Sequence, residues 1–236
     1  MNGKLNAAIP SLASNSVYLG MMLAIVGGFT DAYTFISRGG VFANAQTGNM
    51  VLLAAKAAEG NLHGALLHIP PILAFILGVL VSETGKLPNV RHVIYSYRRS
   101  ILILECSVLI IVGFLPESVP NIVVTMCIAF VTSLQISTFN KLDKWAYNST
   151  VTTGNLRTAI QAAYLAVKEH NQEAGKQFKE FLAILISFTF GALSGTFSTV
   201  YLGKSSIWIA SGVLVAALIL YHRDRGYYRR PQSLNN

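Results

Sequence analysis

Asp31 is the acidic residue set furthest inside an apolar stretch of this chain, and helical spacing places it on one face with Gly27, Gly28, Thr34 and Phe35. Small residues mark close helix contact in a membrane, so a carboxylate sharing their face turns inward. There it serves as a proton acceptor or as a hydrogen-bond anchor for a solute. The alternative is a structural hydrogen bond to a neighbouring helix. A similar polar face recurs later as Thr132, Gln135, Thr138 and Phe139, with Gln135 standing where Asp31 stands. The tripeptide Thr47-Gly48-Asn49 also recurs, as Thr153-Gly154-Asn155. With Asn44 and Gln46 before the first copy and Arg157 after the second, these residues make the candidate solute-binding set.

Other chemistries find no support. H-E-x-x-H, G-x-S-x-G and paired-carboxylate motifs are all missing, so no catalytic residue and no enzyme activity are expected. Without a nucleotide-binding loop, active pumping would need a second protein. The five histidines are scattered without metal-ligand spacing, and no metal or cofactor is expected. Cys106 and Cys127 lie in apolar runs and read as buried, inert thiols. Glu83 and Glu105 fall near span ends beside Lys86 and Arg98/Arg99, which suggests interfacial ion pairs, while Arg38 is expected to snorkel outward. Gly78-x3-Ser82 and Gly191-x3-Gly195 read as packing faces. Arg157 has Val51 as its counterpart in the first copy. It either makes the two copies electrostatically unequal or marks the cytoplasmic side.

The elements that position these residues are spans of a bilayer. Of 236 residues 53% are hydrophobic and only 12% charged, with a mean hydropathy of +0.50. Soluble domains carry about 25% charged residues. The net charge of +8 sits in short loops and in the tail, the membrane pattern, and no nucleic-acid motif accompanies it. Six runs qualify as transmembrane helices, at about 17–37, 66–85, 100–115, 121–139, 181–202 and 205–221. With the N-terminus inside, all Lys and Arg residues but Arg38, Lys56 and Lys204 are cytoplasmic, so both termini are placed in the cytoplasm. The start of the chain is too polar for a signal peptide. The reading is a single all-α membrane domain over 1–236, with polar cytoplasmic tails at 1–16 and 222–236.

Three spans in each half, about 17–115 and 121–221, insert in opposite directions and make an inverted 3+3 repeat. Asp31 matches Gln135 at an offset of 104 and the tripeptides match at 106, as loop insertions would produce. The segments 38–60 and 140–170 are too long for loops and too polar for full spans. Each holds an irregular piece (GGVFANAQTG, DKWAYNSTVTTG) before a helix-prone one that the tripeptide starts. Two re-entrant half-helices fit, their N-termini directed at the bilayer centre, where they favour an anion or the acceptor atoms of a polar solute. The alternative is a pair of helices lying in the interface, with Arg157 and Lys168 facing headgroups.

The stretch GGFTDAYTFISRGGVFANAQTGNMV, with the later TGNLRT, resembles the YoaK-like family of uncharacterised bacterial multi-pass inner-membrane proteins. That resemblance implies a plasma-membrane location and supplies no substrate, cofactor or catalytic residue. From the residues themselves, the expected function is a transporter or channel for a small polar or anionic solute, with its site where the halves meet. A non-transporting scaffold or sensor is the alternative. The expected partners are the lipid bilayer and the solute, with no nucleic acid, and six short spans make a homo-oligomer attractive.

Overall fold

The computed structural model describes residues 16–87 and 97–229. The polar stretch 1–15, the loop bearing Arg91 and the last residues from 230 lie outside the described part. The helices are α1 (Val17–Ser37), α2 (Gln46–Ala58), α3 (Leu62–Leu66), α4 (Ile69–Gly85), α5 (Tyr97–Phe114), α6 (Asn121–Thr138), α7 (Thr152–Lys168), α8 (Gln172–Leu202) and α9 (Ile207–Arg229). A small antiparallel hairpin, β1 (Lys141–Leu142) and β2 (Trp145–Ala146), interrupts the otherwise helical chain before α7. Its turn carries Asp143 at a φ of 51°, and its Lys144 and Asp143 form ion pairs with Glu173 and Lys176 of α8.

Among the described residues, four stretches are long and apolar enough to cross a membrane: Val17–Ser37, Leu62–Gly85, Asn121–Thr138 and Gln172–His222. The last contains two helices, α8 and α9, joined by a 3-10 turn over Gly203–Ser206. The remaining expected span, α5, is not among these four; it carries Arg98 and Arg99 in its first turn and Glu105 at mid-helix. Large apolar side chains face outward along α4 (Leu73, Leu77, Leu80) and α8 (Ile186, Phe190, Phe197). These apolar helices fit a membrane protein, in which such faces meet lipid.

Packing crosses over between the two halves of the sequence. α1 packs most extensively on α8, and α6 packs on α4; α1 also meets α9, and α6 meets α5. α5 and α9 lie against each other. One apolar core joins α1, α5, α6 and α9 through residues such as Leu23, Leu109, Ile128 and Leu214. A second joins α1, the hairpin, α7 and α8 through Ala24, Leu142, Ala159 and Phe181.

Small residues set the closest approaches, as their spacing predicted. A Cβ on Gly28 would overlap the backbone of Phe188 and Ala192, and one on Gly191 would overlap Ile25. On the other side, a Cβ on Gly78 would stand 2.6 Å from Phe130 O, and Ser82 Oγ lies 3.3 Å from Thr138 Oγ1. Both expected packing faces are therefore used, Gly191-x3-Gly195 on α1 and Gly78-x3-Ser82 on α6. The two cysteines differ from expectation: Cys106 is buried, but Cys127 is exposed on the outer face of α6.

Candidate functional site

The two irregular segments run along the same helix from opposite ends. After α1, Gly39 and Gly40 take φ values of 87° and 75°, a left-handed conformation that glycine adopts without strain, and the chain reverses. It then descends α1 rung by rung. Ala43 N donates to Thr34 Oγ1 (3.1 Å), Asn44 N to Asp31 Oδ1 (2.7 Å), and Asn44 Nδ2 to Thr30 Oγ1 (3.0 Å) and Gly27 O (3.2 Å). From the other end, the segment after the hairpin climbs. Leu142 and Tyr147 lie beside Gly20, and Ser149 and Thr150 lie beside Gly27, where a Cβ would stand 2.5 Å from Thr150 Cγ2. Both segments therefore end at Gly27, from which α2 and α7 depart.

The repeated asparagine builds the same clamp in each segment. Asn49 accepts from Phe42 N (2.9 Å) and donates to Phe42 O (2.8 Å). Asn155 accepts from Asn148 N (3.2 Å) and donates to Asn148 O (2.5 Å). A primary amide presents one donor and one acceptor side by side, so it pairs with both polar groups of a single residue as a neighbouring strand would. That ties the backbone seven residues upstream to the start of the helix, and no shorter or acidic side chain can do both. Gln46 reinforces the first clamp, donating to Ala43 O (2.7 Å) and accepting from Asn49 Nδ2 (2.9 Å), and His68 Nδ1 lies 3.3 Å from Asn49 Oδ1.

The tripeptide differs in register from its expected place. Helices α2 and α7 begin at Gln46 and Thr152, so Thr-Gly-Asn fills the second to fourth helical positions in both rather than the cap. Its asparagines are buried, while Thr47, Thr153, Gly154 and Arg157 face outward and Gly48 is half-buried. Caps come from elsewhere. In the first segment Asp31 Oδ1 takes the N–H groups of Asn44 and, at 3.4 Å, Ala45. In the second, Asn148 Oδ1 takes those of Thr150 (3.0 Å) and Val151 (3.1 Å). Asp31 thus anchors backbone of its own half, and Gln135, its counterpart, caps nothing.

Several polar atoms are buried without a partner: Asn44 Oδ1 at this junction, Ser149 Oγ in the second segment, and both Oε1 and Nε2 of Gln135 on α6. Of the sequence-derived candidates, the structure brings Asp31, Asn44, Gln46 and Asn49 together and sets Asn155 in the matching frame. Thr47, Thr153, Gly154 and Arg157 fall on the exposed faces of α2 and α7.

Two charged residues correct the sequence reading. Arg38 does not snorkel: it is 2% exposed, folds back over the Tyr33 ring, and donates to Tyr33 Oη and, at 3.4 Å, to Asn121 Oδ1. The phenol and the start of α6 offer that guanidinium fixed acceptors within the protein. Glu105 is no interfacial partner of Arg98 or Arg99: α5 begins at Tyr97, which carries Glu105 into the middle of the helix. It is fully buried there, and neither carboxyl oxygen has a partner. Glu83, in contrast, does pair with Lys86 at 2.5 Å. A buried, unpartnered carboxyl group in an apolar helix is a candidate functional residue that the sequence reading missed, and its distance from the flanking arginines was the available signal.

The family described as a protein of unknown function (DUF1275) matches residues 19–220, and the chain belongs to it. Its uncharacterised standing agrees with the family resemblance of the motifs. Neither a curated protein sequence nor a solved structure matches the chain.

Proposed function

We propose that this member of the DUF1275 family is a transporter or channel that carries a small polar solute across the plasma membrane. Its site lies where the two irregular segments meet. The observation that carries this reading is the convergence of Asn44 and Thr150, equivalent residues of the two sequence halves, on Gly27. Gly27 is the eleventh residue of the 21-residue α1, about 15 Å from either end. That is the depth of the bilayer centre, and irregular backbone is tolerated there where it is buried in protein or lines a cavity.

The helix contacts fit six spans in an inverted 3+3 repeat, which supports the reading further. Exchanging the halves turns the α1–α8 contact into α6–α4, turns α1–α9 into α6–α5, and leaves α5–α9 unchanged. The paired asparagine clamps obey the same exchange. The half-helices α2 and α7 are then re-entrant, and the basic loops put both termini in the cytoplasm. A scaffold needs no polar crossing at mid-membrane. No step of covalent chemistry is invoked, and the protein acts without a cofactor.

Reconstitution into liposomes tests the proposal. Permeability to small polar solutes above that of empty liposomes is the expected result. Its absence for every neutral and anionic probe would return the protein to a scaffold or sensor role. Orientation is checked with a cysteine at Glu117 in a cysteine-free background, which a membrane-impermeant reagent added to intact cells should label.

A further inference from the structure

Arg38 is a buried cation without a counter-ion. It is 2% exposed, and a guanidinium keeps its charge inside a protein. Of its five N–H groups, those on Nε and one on Nη2 go to Tyr33 Oη, and one on Nη1 goes to Asn121 Oδ1 at 3.4 Å. One N–H on each terminal nitrogen is left without an acceptor among the described residues. Both acceptors that it meets are neutral oxygens, which solvate the charge without cancelling it.

No acidic side chain makes up the difference. Among the described residues no carboxylate forms an ion pair with Arg38. Glu117, in the loop before α6, is 91% exposed and faces Lys204 at 3.9 Å. Residues 1–15, 88–96 and 230–236 contain no Asp or Glu. Asp224 belongs to the other end of the bundle, because Tyr221, three residues before it, packs on Phe139 at the far end of α6 from Asn121. A second positive element lies against the guanidinium instead. Asn121 is the first residue of α6, whose start has no side-chain cap and no acidic residue in its first turn. Its free N–H groups and helix dipole add partial positive charge at the same place. A buried charge without its opposite is costly.

We propose that Arg38 and the start of α6 bind a small, singly charged oxyanion, such as nitrate or a short carboxylate. The free N–H groups of a planar guanidinium suit two oxygens of one anion, and the helix start is a ready anion site. One full positive charge calls for one negative charge, and a dianion would carry the excess into the protein. The guanidinium is thinly covered. Gly39 beside it and Asn121 against it are exposed, and a Cβ on Gly39 or Gly40 would meet nothing within 4 Å. The site stands eleven residues along the chain from Gly27, roughly 16 Å at helical rise, and so is separate from the crossing there.

Thermal unfolding of the purified protein in detergent tests this, with nitrate, formate or sulfate replacing HEPES at constant ionic strength. Nitrate and formate should raise the wild-type melting temperature along a saturating curve, by on the order of 5 °C at about a hundredfold excess over Kd. Sulfate strengthens burial by general exclusion, so its effect should grow without saturating. Arg38→Gln should lose the saturating response to nitrate and formate. Arg38→Lys keeps a charge but not the fork, and should need at least about tenfold more nitrate for half its effect. A wild type with no saturating response to either monovalent anion overturns the inference. So does an undiminished response in Arg38→Gln or, if that variant does not fold, an unchanged midpoint in Arg38→Lys.

Discussion

The irregular segment before α2 and the one before α7 share a frame and differ in how it is filled. Each is clamped by an asparagine at the fourth helical position to the backbone seven residues earlier, and each reaches Gly27. In the first, a carboxylate from α1 closes the gap between segment and helix. In the second, Asn148 closes it locally and leaves Gln135 on α6 free. The clamps belong to architecture, because any sequence folding this way must satisfy the same buried backbone groups. The filling is not dictated in the same way: Asp31 is engaged with the first segment, whereas both amide atoms of Gln135 are left without a partner.

The largest effect should come from breaking a clamp. Asn155→Leu strands an N–H and a C=O of the half-buried Asn148, and each lost partner costs about 1–3 kcal/mol where it is buried, so a loss of about 2–4 kcal/mol is expected. Asn49→Leu should cost at least as much, since it also releases Gln46 and His68. Thermal unfolding in detergent measures both. Indifference to either substitution would separate the two frames and end the comparison.

Gly27→Ala comes next. Its methyl would meet Thr150 Cγ2 at 2.5 Å, and overpacking of this kind costs about 1–3 kcal/mol. Because the obstacle is a side-chain methyl rather than backbone, Thr150→Ser should recover most of the loss. Gly28→Ala, which would overlap the Phe188 backbone, should not be recovered by Thr150→Ser. A double-mutant cycle on melting temperature reads the coupling. Coupling below about 0.5 kcal/mol at Gly27 would show that the second segment does not reach the middle of α1.

Much of this arrangement was legible in the chain. The matched tripeptides located the starts of α2 and α7, and the match of Asp31 to Gln135 picked a pair of positions whose hydrogen bonding differs. The glycine spacings gave the two helix crossings. What escaped was set by contacts between distant segments. That Asn49 and Asn155 hold backbone depends on where the residue seven before them folds, which the tripeptide does not specify. Both segments lie along α1 because Gly20 and Gly27 leave room beside it, whereas Asp31 and Thr34 supply acceptors; the sequence offered those residues without saying what would occupy them. The depth of Glu105 followed from a helix start at Tyr97, three residues before the edge of the apolar run. Charges at a helix end obscure where the helix begins.

The smallest expected effect is the sharpest probe of the unequal filling. Asn148 Oδ1 accepts from Thr150 N, Val151 N and Thr150 Oγ1, so Asn148→Asp keeps every acceptor contact at that oxygen and adds a negative charge. The charge would stand before the first turn of α7, where the unpaired N–H groups and the helix dipole favour an anion by about 0.3–1 kcal/mol. Asp31 already supplies such a charge at the start of α2, so the substitution makes the second segment electrostatically resemble the first. Asn148 is half-buried, which keeps the desolvation cost of the new carboxylate modest. A melting temperature in detergent raised by a degree or two, on the order expected from that gain, is the predicted outcome. A clear fall would mean that the second segment depends on a neutral residue there, and that its difference from the first is required by the fold.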